Sequence, residues 1–274
     1  MKPIPFWKMS GSGNDFIMID HRIPLLDPKE IKQFVAQACR RGLSVGADGV
    51  ILIEPSTKAD YRWHYYNADG GEVEMCGNGS RCVARFAYLN KIVPAKHTIE
   101  TLAGIVQAEV LGDRVRVGLP DPTDLRLDLK IEINGKTHAG HFVNTGVPHV
   151  VYLVDDVDGV DVIGLGRATR HHPLFAPRGT NANFISVTDR QNLKIRTYER
   201  GVEDETLACG TGAIAAAIVT TLLEKTAPPV SLMTRGGICL GVNFTREGTR
   251  FKNISLEGDA RVIYKGELLE EALL

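Results

Sequence analysis

Two cysteines stand in matching surroundings. Cys76 opens CGNGSRCVARFAYL and Cys209 opens CGTGAIAAAIVTTLL, in each case Cys-Gly-x-Gly followed by a helical run. A helix start presents backbone N–H groups that have no carbonyl partner within the helix, and glycines let the preceding loop bring them close to an anion. The same field favours a thiolate over a thiol, which makes a cysteine placed there a candidate base or nucleophile. A helix terminus alone contributes roughly 0.3–1 kcal/mol, less than one pKa unit, so exclusion of water and exact placement must supply the rest. With two such cysteines, a thiolate can take a proton from one face of a carbon while a thiol delivers one to the other, and the configuration inverts without a cofactor. An amino-acid α-carbon suits this chemistry, because helix starts aimed at its carboxylate would stabilise the charge formed on deprotonation.

The bland alternatives differ between the cysteines. Cys39, Cys82 and Cys239 read as small buried hydrophobes. Cys76 and Cys82 lie six residues apart, about 240° around a helix, and so share no face on which to bind zinc; no metal is expected. GSGND at 11–15 lacks the third glycine and the Lys-Ser/Thr of a phosphate loop and reads as a turn. His149 is expected to be hydrogen-bonded at the start of a strand, with at most a supporting role.

The elements that must position the cysteines appear twice. Sliding the sequence along itself until Cys76 falls on Cys209 also puts Gly13 on Gly146, Gly46 on Gly179, Tyr65 on Tyr198 and Glu72 on Glu205. Thr101, Gly104 and Ile105 fall on Thr234, Gly237 and Ile238 in the same ungapped register. Glycine coincidences are cheap in a chain with 28 of them, but a single offset that also aligns the predicted strands and helices implies two similar halves. The run after Cys209 is apolar on every side and must be the core helix of its half; the run after Cys76 occupies the equivalent place although it carries Arg81 and Arg85. Around them, strands are predicted at 50–54, 61–67, over HTIETLAGIVQAEV and DRVRVGLPDP, and at NFISV and LKIRTYE, with a helix over Pro28 to Arg41 and another near 160–170. Gly112-Asp113 and Asn134-Gly135 are hairpin turns. The fold class is therefore α+β: two pseudo-symmetric halves, each a mixed, mostly antiparallel sheet curled around a central helix, with the active site expected in the cleft between them. The halves are placed at 1–121, joined by a last strand at about 262–274, and at 122–261.

Composition excludes several classes. With 43% hydrophobic and 24% charged residues in 274, the chain is an ordinary globular protein. Its 32 Lys and Arg balance 33 Asp and Glu without a basic stripe, which disfavours nucleic acid. Neither a signal peptide nor a run long enough for a bilayer is evident, and five cysteines without a CxxC pair are read as free thiols. A cytoplasmic protein with a small-molecule substrate and no membrane or nucleic-acid partner is expected; a homodimer is compatible with the sequence.

The segments NADGGEVEMCGNGSRC and YERGVEDETLACGTGA, with GSGNDF near the start and GADG at 46–49, resemble the signature segments of the diaminopimelate epimerase family over nearly the whole chain. The resemblance implies a cofactor-independent epimerase interconverting LL- and meso-diaminopimelate, with Cys76 and Cys209 as the acid/base pair. It implies further that Gly77, Asn78, Gly210 and Thr211 form the helix starts that hold the reacting carboxylate. Asn14, Asn67, Asn181, Glu199 and Arg200 match the substrate-binding positions, with Arg200 and the asparagines on the distal carboxylate and Glu199 on the distal ammonium. Where many family members have Asn before Pro-His, this chain has Val147, onto which no side-chain contact is carried. The alternatives are a two-cysteine racemase of another amino acid and, outside that chemistry, a non-catalytic small-anion binder or a thiol redox protein.

Overall fold

The strands β2 (Asn14–Asp20) and β3 (Gly49–Glu54) explain much of the architecture, because both are apolar without alternation. Phe16 to Ile19 and Val50 to Ile53 are all fully buried, which requires cover on both faces of the sheet. In a computed structural model that describes residues 2–274, that cover is provided by helices. Clustering of the chain gives two compact units: residues up to Val117 together with Gly258–Leu274, and Gly118–Glu257.

In the first unit, β1 (Ile4–Gly11) pairs antiparallel with β2, and α1 (Ile31–Ala38) carries the chain over to β3, parallel to β2. Strand β4 (Tyr61–Asn67) returns antiparallel and pairs with the two-residue β5 (Glu72–Val73). The helix α2 (Gly77–Leu89) then crosses to β6 (Lys96–Thr101), parallel to β4, and β7 (Gly104–Leu111) and β8 (Arg114–Gly118) complete the meander. Parallel neighbours need such crossovers. One sheet face packs on α1 through Ile17, Ile19, Val50 and Leu52. The other receives α2, which touches β1, β2, β3 and β7, so the sheet wraps the helix.

The second unit repeats the plan. Strand β9 (Thr123–Ile133) forms a hairpin with β10 (Lys136–Asn144) through Asn134 and Gly135, both at left-handed φ (51° and 74°), as a type I′ turn demands. Strand β11 (Pro148–Leu153) follows antiparallel, α3 (Val162–Arg170) crosses to the parallel β12 (Asn181–Val187), and β13 (Asn192–Glu199) returns with the short β14 (Asp204–Thr206). The helix α4 (Gly210–Leu222) crosses to β15 (Val230–Thr234), which is parallel to β13, and β16 (Cys239–Glu247) and β17 (Arg250–Asp259) follow. Last comes β18 (Arg261–Leu268), which pairs with β1 in the first unit as β9 pairs with β10 in the second. The register that lays Cys76 on Cys209 superposes both ends of α2 on those of α4, Gly77 on Gly210 and Leu89 on Leu222.

Three local expectations are corrected. The helix expected over Pro28 to Arg41 is confined to Ile31–Ala38: Asp27 accepts the N–H groups of Lys29 and Glu30 at 2.9 Å, closing a turn that delays it. HTIETLAGIVQAEV is two strands, reversed at the exposed Leu102 and at Ala103, a pair without turn chemistry. Cys239 is half-buried rather than a core residue.

Candidate active site

Each matched cysteine is the N-cap of its helix, in extended backbone conformation. In the first unit the Cys76 Sγ accepts the Gly79 N–H at 3.4 Å, and the first turn closes with Ser80 N–H on the Cys76 carbonyl at 2.8 Å. In the second, the Ala213 N–H bonds the Cys209 carbonyl at 3.0 Å, while the Cys209 Sγ lies 3.6 Å from the Thr211 Oγ1. Glycine at the third position of α4 leaves room for the thiol, since a Cβ on Gly212 would stand 3.3 Å from the Cys209 Sγ, whereas one on Gly79 would make only an ordinary contact, 3.6 Å, with the Cys76 Cβ.

Around Cys76, Asn14 and Asn78 join in one line. The Asn78 Nδ2 donates to the Asn14 Oδ1 at 2.6 Å, and the Asn14 Nδ2 donates to the Asp48 Oδ2 at 3.0 Å. Gly77 is the first residue of α2. Asn67, exposed at the end of β4, accepts a hydrogen bond from the Tyr65 hydroxyl at 2.8 Å and is not joined to the Asn14–Asn78 pair. Burial raises the Tyr65 pKa, and negative charge on Cys76 adds to the rise, which places that hydroxyl within electrostatic reach of the thiol. Asp15 lies beside the Asn14 line. Burial works against its ionisation, yet hydrogen bonds from Arg41 and Lys8 win and hold its pKa at about 2.

Around Cys209 the polar groups are more deeply enclosed. Thr211 Oγ1 lies 2.9 Å from the Nε2 of the fully buried His149, and the Thr211 carbonyl accepts from Thr145 Oγ1 at 3.0 Å. The Asn183 Oδ1 accepts from Thr197 Oγ1 at 3.0 Å, and its Nδ2 donates to the Val150 carbonyl at 2.9 Å and lies 3.1 Å from the His149 Nδ1. Since the amide presents N–H groups to the ring, Nδ1 accepts, Nε2 carries the proton, and Thr211 receives it as acceptor. Burial pushes the His149 pKa down to about 3; the bond from Asn183 opposes the shift and nearby Arg200 adds to it.

Asn181 is almost entirely buried, with its Oδ1 accepting the Arg200 N–H at 2.7 Å and its Nδ2 donating to the Pro148 carbonyl at 3.0 Å. It therefore fixes the backbone at Arg200, whose guanidinium donates to the Arg178 carbonyl at 3.3 Å. Glu199 ends β13 beside Cys209, and its carboxyl pKa is raised by burial. Gly210, the first residue of α4, packs closely on Leu256, whose Cδ2 a Cβ would meet at 2.6 Å.

The electrostatic expectation needs correction for Cys209. Burial pushes its thiol up to about 12, the Glu199 carboxylate adds to the rise, and bonds from Thr211 and the helix-start N–H groups only partly oppose it. At 8% exposure, desolvation exceeds the helix-terminal field. The residues absent from the sequence-level site are Ser12, Asp48, Tyr65, Arg81, Asn183, Thr197 and Asp259; the recurrence of Tyr65 at Tyr198 was visible, whereas buried polar side chains at strand positions leave no pattern. Among the described residues, no group of three or more His, Cys, Asp and Glu could hold a metal ion, and no helix is long and apolar enough to cross a membrane.

Comparison with known proteins is consistent with this geometry. A family model described as Diaminopimelate epimerase matches residues 6–122 and 141–263. The diaminopimelate epimerase of Aquifex aeolicus (strain VF5) is 46% identical over 280 residues, covering 98% of this chain and 99% of its own. That of Hydrogenobaculum sp. (strain Y04AAS1) is 44% identical over 276 residues, covering 96% and 98%. Among solved structures, a Bacillus anthracis phenazine biosynthesis protein of the PhzF family superimposes with a TM-score of 0.75 at 17% identity, covering 98% of this chain and all of that one, a likeness of fold alone. Two cysteine-capped helices in twice-repeated sheets, and identity sustained from end to end with two curated relatives, lead to one conclusion: the chain belongs to the diaminopimelate epimerase family.

Proposed function

We propose that this protein interconverts LL- and meso-diaminopimelate in lysine biosynthesis, with Cys76 and Cys209 exchanging the α-proton. The observation that carries the reading is the pair of cysteine N-caps at equivalent places in the repeat, in a chain that aligns with named diaminopimelate epimerases over 96–98% of its length. In one direction a thiolate takes the α-hydrogen as a proton. The C–H electron pair is delocalised into the adjacent carboxylate, and the opposite thiol returns a proton to the other face. The N–H groups of Gly77, Asn78, Gly210 and Thr211 are the donors assigned to the charge that develops; one such preorganised donor is typically worth about 3–4 kcal/mol of transition-state stabilisation.

The scheme needs one thiolate and one thiol at rest. Cys209, pushed up to about 12 by burial and the Glu199 carboxylate, suits the thiol, leaving Cys76 as the resting base. Glu199 and Arg200 remain the groups assigned to the distal ammonium and carboxylate, since an acid complements an amine and a forked guanidinium a carboxylate. The position of Glu199 beside Cys209 means that binding of the distal ammonium and the Cys209 proton would be felt together. We place the enzyme in the cytoplasm with a small amino-acid substrate.

The test is incubation of the reduced protein with LL-diaminopimelate in D₂O without pyridoxal phosphate or added metal. Formation of the meso isomer with deuterium at the α-carbon is expected. Cys76→Ser and Cys209→Ser should each abolish inversion while still exchanging the α-hydrogen of one stereoisomer. A wild-type protein that neither inverts nor exchanges would sink the proposal.

A further inference from the structure

Arg81 lies in the second turn of α2 with no solvent exposure. Burying a guanidinium costs several kcal/mol unless its donors are satisfied, and burial lowers its pKa. Its Nη2 donates to the Ser12 Oγ at 2.7 Å and to the Asn78 Oδ1 at 2.8 Å, its Nε to the Asp259 carbonyl at 3.3 Å, and its Nη1 to the Gly77 carbonyl at 3.4 Å. Ser12, at a left-handed φ of 53°, is itself anchored: its N–H and hydroxyl both donate to the Asp259 carboxylate, at 3.0 and 2.9 Å. One side chain thus ties the first two residues of α2 to the turn after β1 and to the end of β17.

The contact with Asn78 does more than anchor. Guanidinium can only donate, and the Asp48 carboxylate, which also accepts the Asp15 N–H at 3.1 Å, can only accept. Between these ends the amides of Asn78 and Asn14 have one consistent orientation, each carbonyl toward Arg81 and each NH₂ toward Asp48. Every NH₂ keeps a second hydrogen after its bond within the line. The Cys76 half-site is therefore left with amide donors, suited to a carboxylate and unsuited to an ammonium group.

We propose that Arg81 is the positioning residue of the Cys76 half-site: it fixes the start of α2 and sets the polarity of the Asn78–Asn14 amide pair, without touching substrate. At the second α4 position the role is filled differently, by Thr145 and His149 holding Thr211, and Ile214 stands where Arg81 would recur. Damage through Arg81 should therefore fall on one of the two proton transfers.

The inference rests on the proposed two-thiol reaction and is tested with the full chain as Arg81→Lys, which keeps the charge but not the fork, with Ser12→Ala as a milder partner that leaves the charge buried and hydrogen-bonded to the remaining acceptors. Arg81→Lys is expected to lower kcat/KM about 10–100-fold, as small misplacements of a catalytic group do, with Ser12→Ala shifted the same way by less. The discriminating readout is solvent deuterium. From the stereoisomer deprotonated by Cys76, exchange and inversion should slow together. From the other, exchange should persist while inversion slows, so the ratio of exchange to inversion rises. Activity within twofold of wild type, or a ratio of exchange to inversion unchanged from wild type for both stereoisomers, would overturn the inference. If Arg81→Lys does not fold, the same ratio measured in Ser12→Ala decides: an unchanged ratio overturns the inference. Failure of the wild type to epimerise would instead refute the reaction itself.

Discussion

Gly79 and Gly212 hold the same place in their helices, yet alanine at the two positions should have opposite consequences. In either helix, alanine gains up to about 1 kcal/mol of helix propensity. At Gly79 the new Cβ would meet the Ile51 Cδ1 at 3.0 Å and the Trp63 Cζ3 at 3.2 Å. These are side-chain tips that can give by a few tenths of an ångström, and the net change should lie within about 1 kcal/mol. At Gly212 the Cβ would stand 2.3 Å from the Asn183 Oδ1. That amide is fully buried and bonded to Thr197, Val150 and His149, so it cannot retreat without losing a partner. A buried group left unpaired costs about 1–3 kcal/mol and overpacking about 1–3 kcal/mol more. Gly212→Ala should be destabilised by on the order of 3 kcal/mol, a fall of roughly 6–12 °C in Tm. It should also be impaired in turnover, because the Cβ comes within 3.3 Å of the Cys209 Sγ. Thermal and urea unfolding followed by far-ultraviolet circular dichroism, on both variants in parallel, measures the contrast. If Gly212→Ala melts with Gly79→Ala, the buried amide is not the rigid wall inferred from the contacts.

Two further outcomes are expected. His149 is held down to about 3 by burial, while in the unfolded chain it titrates near about 6.5; the unfolded state therefore takes up the proton first. Its contribution to stability is complete above about pH 6.5 and is lost as pH falls toward 3, at up to about 1.4 kcal/mol per pH unit. The stability gap between wild type and His149→Gln, measured by urea unfolding, should accordingly narrow with acid; a gap independent of pH contradicts the assignment. Of the two motif cysteines, half-exposed Cys76 should be carboxamidomethylated well before Cys209, which is buried and pushed up to about 12. Peptide mass spectrometry after brief iodoacetamide treatment reads the order directly, and modification of Cys209 first would contradict it.

What the sequence made legible follows the physics of each element. The α4 run, apolar on every face, has no fold-independent reading other than a buried helix, and the ungapped register between the two cysteine motifs carries that placement to α2. Asn134-Gly135 specifies its turn by φ alone. The two-residue β5 is too short for any periodicity to register, and the reversal at Leu102 and Ala103 is carried by the flanking residues, Gly104 at a φ of 122° and Thr101 with its hydroxyl on the Gly104 carbonyl, rather than by the two central ones. At the site, the family motif names Cys76, Cys209 and their neighbours, but the supporting polar groups escape it. A guanidinium in a sequence reads as a solvated side chain; that Arg81 is enclosed depends on Ser12 and on Asp259, which is 178 residues away. Likewise, nothing local to Cys209 announces that desolvation will outweigh its helix terminus.

The strand β18 gives the first unit a peculiarity of timing. In the second unit, β9 directly precedes its partner β10, and the unit occupies one unbroken stretch of chain. In the first unit, the corresponding partner of β1 is β18, whose residues Arg261–Leu268 follow the entire second unit. During synthesis at about 5–20 residues per second, Ile4 to Ser10 must wait with an unpaired edge until the last strand leaves the ribosome. The second unit can be complete by then. An exposed edge is a template for wrong pairing, and the nascent chain carries this one throughout synthesis of the second unit.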